Sequence, residues 1–173
     1  MLTNQENFEL IRLLNKIEWP VRSDLFDAFC GNMLTSPVDL ALLKKSAAGF
    51  EIFLIYRKDK FFDGWHVPGS VMLPGRTVLT VLKDVMEREI NIHEKNFDFK
   101  FIGFHQFMKG HEFGQCSRGQ ETELLYVLFL EESTKIRTDN ERKFFSIEKL
   151  PDDILSHHQI LISSIKNYLN HVD

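Results

Sequence analysis

Nothing in this chain approaches the ~20 consecutive apolar residues needed to cross a bilayer, so no membrane-spanning helix is expected. Its two cysteines, Cys30 and Cys116, lie far apart without metal-ligand spacing, which argues against a disulfide scaffold or a cysteine-based zinc site. The N-terminus lacks the charged-then-apolar pattern of an export signal, and with so little cysteine the expectation is a reduced, cytoplasmic protein. Basic runs are missing as well. With a net charge of −4 the chain has no electrostatic footprint for bulk nucleic acid, although a pocket for one small phosphate ligand needs few cations. No repeat, low-complexity segment or linker interrupts it.

What is present suits one globular domain: 173 residues, 43% apolar, with sixteen phenylalanines whose plain role is core filling. The informative stretch runs from Gly64 to Ile92, GWHVPGSVMLPGRTVLTVLKDVMEREINI. It reads as strand, glycine-bearing loop and helix. Gly69 and Gly75 allow the loop conformations and close approaches that a Cβ would block. From Thr77 to Ile90, Val78, Leu82, Val85, Leu79, Met86 and Ile90 form a stripe at helical spacing, so one face must pack. Lys83, Asp84, Glu87, Arg88 and Glu89 crowd the last two turns, and Asn91 follows where a left-handed terminator is common. Acids at the end of a helix that follows a glycine loop are suited to bringing a divalent cation and a phosphate together.

Trp65, Val67, Pro68 and Gly69, with an ungapped continuation to Ile92, resemble the box of the Nudix hydrolases, in a degenerate form. Met86, Glu89 and Ile92 match its later half. Ser70, Arg76, Asp84, Val85, Arg88 and Asn91 depart from it. Two family positions that form a loop-to-helix salt bridge hold Arg76 and Asp84 with the signs exchanged, so the tie can survive inverted or both can be solvated charges. An apolar Val85 with a lone Glu89 is most similar to the GDP-mannose mannosyl hydrolase branch, which implies Mg²⁺, with Mn²⁺ as alternative, held by Glu89 and a main-chain oxygen near Gly69. On the same resemblance Glu87 would stand behind Glu89 and support it, or replace it as the ligand. That branch takes a histidine base from a late loop; the segment Asp139 to Phe145 has no histidine, and Asp139 or Glu141 is the substitute as ligand or base, Glu141 being the first to test.

Elsewhere, Asn4 to Ile17 reads as an amphipathic helix and Ser23 to about Met33 as a second, with Leu25, Phe26 and Phe29 inward. This extension, residues 1–36, is expected to pack on the sheet, or else to form a dimer contact or substrate lid; residues 37–173 form the Nudix-like domain. Pro37 to Lys44 and Phe50 to Arg57 read as paired strands, with Phe97 to Met108, Glu121 to Leu130 and Lys143 to Ile147 as further strands. Arg57 ends its strand where family members often carry a phosphate-contacting arginine, and its planar fork suits a diphosphate; the plain alternative is a solvated charge. His111 and Glu112, in the loop Lys109 to Gln120, are candidate site residues, and His105 reads as a core or pocket residue. Asp152 and Asp153 are expected in the first turn of a last helix ending near Asn170, with His158 bordering its packed face and His157 solvated.

The fold class implied is α/β: a Nudix-like α/β/α sandwich with a mixed sheet and an N-terminal helical extension. The resemblance implies Mg²⁺-dependent hydrolysis of a nucleoside diphosphate linked to another moiety, such as a sugar. The alternative is a Nudix-fold binding or regulatory module that has lost turnover.

Overall fold

The structure is a computed structural model; it describes residues 2–47, 49–93, 97–108, 110, 119–131 and 133–172. Among the described residues, apolar-rich segments build seven strands: β1 (Pro37–Ser46), β2 (Gly49–Lys58), β3 (Asp63–His66), β4 (Gly69–Val71), β5 (Lys100–Phe107), β6 (Glu121–Leu130) and β7 (Arg142–Ser146). They form one mixed sheet in the order β3-β2-β1-β6-β5, with β4 on β1 and β7 on β2. β1 runs parallel to β6, and every other pairing is antiparallel.

Among the described residues four α-helices accompany the sheet: α1 (Asn4–Leu14), α2 (Ser23–Asn32), α3 (Val78–Val85) and α4 (Ser156–Leu169). Because side chains alternate along a strand, β1 serves two cores. Val38, Leu40 and Leu42 face α3 with Val81, Leu82 and Val85. Ala41 and Leu43 face α4 with Leu161, Ile162 and Ile165. The result is the expected α/β/α sandwich.

Thr77 caps α3 by accepting from the Thr80 amide, and the helix loosens into a π-helical turn, Met86–Ile90, before Asn91 closes it at φ 59°. That left-handed residue is the terminator the sequence predicts. Arg76 and Asp84 form the sign-exchanged ion pair, with both side chains well exposed. Arg76→Glu alone is expected to cost no more than about 1 kcal/mol, and the double variant R76E/D84R to recover it, measured by urea denaturation.

Four expectations need correction. The segment after His66 is not all loop: Gly69, Ser70 and Val71 pair with β1. The last helix starts at Ser156 rather than at Asp152, because the Asp153 carbonyl accepts from the Trp65 amide at 2.9 Å and Leu155 donates to the Trp65 carbonyl at 3.0 Å. Those two bonds hold residues 153–155 beside β3, with Ile154 bridged to Trp65. Finally, α1 buries no residue, and Phe8 is 75% exposed, since α3 and α4 already cover both faces of the sheet. α2 is held to the body by buried Cys30, whose carbonyl accepts from Gly119, and by an ion pair between Asp27 and Lys60. Leu25, expected inward, is exposed.

Candidate functional site

On the α4 face of the sheet, at the start of β1, lies a cleft of about 220 Å³ lined by Asp39, Arg57, His66, Gly69, Glu123 and His158, among others. Asp39 continues the inward parity of Ala41 and Leu43, and Glu123 that of Leu125 and Val127, so each strand carries its acid into the α4 side. The first turn of α4 brings both His157 and His158 against them. Both histidines are buried, which corrects the expectation of a solvated His157: its ring meets those of Phe62 and Phe107.

Burial sets the protonation of these groups. Glu123 is pushed up to about 8 by desolvation, so it keeps its proton at neutral pH. His66 is pushed down to about 4, chiefly by burial. Its Nδ1 donates to the Val67 carbonyl at 2.8 Å, which leaves Nε2 as an unprotonated acceptor. His158 is held well below the usual imidazole range by burial first, then by His157, His66 and Arg57. Among the described residues, Asp39 Oδ2, Glu123 Oε2 and His158 Nδ1 have no hydrogen-bond partner. His105 sits directly across from Glu123 on β5, stacked on Phe107, and its Nε2 also lacks a partner among the described residues.

Arg57 reaches this cleft from the end of β2, held over the Phe62 ring at 4.7 Å and paired with Asp59 at 2.6 Å. Gly69 is there too, opposite Asp39 in the β1–β4 ladder, and a Cβ on it would fall 1.6 Å from Asp39 Oδ1. Phe26 of α2 forms part of the wall, so the N-terminal extension contributes to the site.

The other expected residues lie elsewhere. Glu89 is on the opposite, α3 face, 3.9 Å from the Arg142 guanidinium, and Glu87 is exposed and 3.2 Å from His93. Glu141 stands exposed before β7, its carbonyl accepting from the Tyr56 amide. His111 and Glu112 lie outside the described residues. The Mg²⁺ that the resemblance implies does not fit the box helix: its acids Asp84, Glu87 and Glu89 each face a cation or an imidazole. Among the described residues the acids and histidines that converge are Asp39, Glu123 and His158. A larger cleft of about 770 Å³, between Asn91 and Lys135, gathers no such group among the described residues.

No protein-family model matches the chain, and no curated protein matches its sequence. Solved structures do. The Ap4A hydrolase of C. elegans aligns with 82% of this chain and 100% of its own, at 14% identity and TM-score 0.60. The NUDIX domain of Shewanella oneidensis NrtR, solved with ADP ribose, aligns over 97% of this chain and 99% of its own, at 12% identity and TM-score 0.61. A mutT/nudix family protein from Listeria innocua aligns over 79% and 94%, at 17% identity and TM-score 0.61. The architecture is the Nudix fold. Among the described residues no helix is long and apolar enough to cross a membrane.

Proposed function

We propose that this protein is a hydrolase of a nucleoside diphosphate linked to a second group, and that the reaction takes place in the cleft between β1, β6 and the start of α4. A nucleotide sugar is the substrate class favoured by the resemblance to the GDP-mannose mannosyl hydrolase branch, and ADP ribose is a second candidate from the NrtR neighbour. The observation that carries the reading is convergence: Arg57 opens onto the same cleft as the partnerless acid and imidazole groups. A guanidinium fork binds the oxygens of a diphosphate pairwise. The unprotonated His66 Nε2 is suited to accepting a proton beside it. A cleft of about 220 Å³ has room for a diphosphate.

A binding module without turnover is the second reading, favoured by the box-helix acids being occupied by Arg76, His93 and Arg142. One experiment separates the two. Melting shifts are measured against nucleotide sugars, ADP ribose and dinucleoside polyphosphates, and every hit is assayed for product. The hydrolase reading expects a shift together with product, and the module reading a shift alone. Arg57→Ala is expected to weaken binding of the hit by roughly tenfold or more, the worth of a charge-assisted pair. A hit that binds Arg57→Ala as tightly as wild type would remove the diphosphate assignment.

A further inference from the structure

The three groups at the floor of the cleft make an unusual set. Asp39 is 4% exposed, Glu123 2% and His158 6%, so water cannot serve them freely. Asp39 Oδ2, Glu123 Oε2 and His158 Nδ1 each lack a hydrogen-bond partner among the described residues. Side chains that bury polar atoms ordinarily pair them. These three instead point toward one another: one ligand atom from each lies within 4.8 Å of the others. His158 Nδ1 and Asp39 Oδ2 are 3.8 Å apart, too far for a hydrogen bond. It is nonetheless the spacing of two ligands on one ion, since metal bonds of about 2.0–2.2 Å set neighbouring donors roughly 3–4 Å apart.

We propose that Asp39, Glu123 and His158 hold a single divalent transition-metal cation, at a site separate from the box helix. The donor set selects the class: imidazole beside carboxylates suits Zn²⁺ or Mn²⁺, whereas Mg²⁺ and Ca²⁺ take oxygen donors. The backbone supports the geometry. β1 and β6 run parallel with Asp39 opposite Leu125, which sets Glu123 one inward position from Asp39. The absence of a side chain at Gly69 leaves room for the Asp39 carboxylate. Three protein ligands leave coordination positions open, and the open side is the cleft that Arg57 enters. The proposal deepens the reading of this cleft as a diphosphate site, yet it is tested without any nucleotide.

The test uses the untagged full chain, stripped with chelator and titrated with Zn²⁺, Mn²⁺ or Mg²⁺ alone by calorimetry and thermal melting. Wild type is expected to bind one equivalent of Zn²⁺ or Mn²⁺ with a raised melting temperature, and Mg²⁺ at least tenfold more weakly. Asp39→Asn, Glu123→Gln and His158→Gln keep the side-chain volume. Each is expected to lose the metal-dependent shift and at least a hundredfold in affinity while still melting cooperatively without metal. Should a variant fail to fold, the visible spectrum of Co²⁺-loaded wild type decides, because an imidazole-bound buried ion and a hydrated ion absorb differently. Absence of stoichiometric binding by wild type, a hydrated-ion spectrum, or binding that survives all three substitutions would overturn the proposal. A nucleotide shift that persists in chelator leaves the diphosphate reading standing while the cation site is judged by these titrations alone.

Discussion

In chelator at pH 8, Glu123→Gln is expected to unfold at a clearly higher temperature than wild type, and at pH 4.5 the two should melt together. The cause is the cost of ionising a carboxyl that is 2% exposed. Its folded value, raised from 4.5 to about 8, means that between those pH values the unfolded chain has lost the proton and the native protein retains it. Stability therefore falls as pH rises through this window, by roughly 5 kcal/mol over its whole width at about 1.4 kcal/mol per pH unit. Glutamine copies the shape of the protonated acid and does not titrate, so the gap between variant and wild type should open steadily with pH. Chemical denaturation at several pH values measures it directly. A gap that does not change with pH would show that Glu123 is ionised or hydrated in the native state.

Gly64→Ala is the second large effect, expected to cost about 3 kcal/mol or more and to lower the melting temperature by roughly 10 °C. A Cβ at Gly64 would meet the Asp153 carbonyl oxygen at 2.4 Å and Leu155 Cδ2 at 3.0 Å. The Asp153 oxygen is backbone, fixed by its bond from the Trp65 amide, and cannot turn aside as a flexible side chain would. The segment 153–155 must move, and it leads directly into the first turn of α4, where His157 and His158 sit. Gly75→Ala makes the informative comparison: at φ +79° it is strained, but its Cβ would meet nothing within 4 Å, so its cost should stay near about 1 kcal/mol. Equal losses at the two positions would mean that close approach at Gly64 is not what matters.

The strands and the box helix were legible because their signals are local. The apolar run in Glu121–Leu130 and the stripe from Val78 to Ile90 depend only on neighbouring residues, and so does Asn91 as a terminator. Arg57 and Gly69, both singled out through the resemblance, line the cleft. The acids of the cleft were not read as site residues, although each carried a signal: Asp39 is in phase with buried Ala41 and Leu43, and Glu123 with Leu125 and Val127. What no local pattern contains is the parallel pairing of β1 with β6, across some eighty residues of chain, that sets one acid beside the other. His157 was misread because adjacency on a helix normally turns one of two residues to solvent. Here the rings of Phe62 and Phe107 close over it. Glu87 and Glu89, which the resemblance implies as ligands, face His93 and Arg142.

The central claim is that the working groups of this protein lie on the α4 face of its sheet and gather round one cation. Anomalous scattering from a crystal soaked in Mn²⁺ or Zn²⁺ tests it most directly. A single strong peak enclosed by the side chains of Asp39, Glu123 and His158 is the predicted result. A peak beside the Glu89 carboxylate, with those three side chains unliganded, would contradict it.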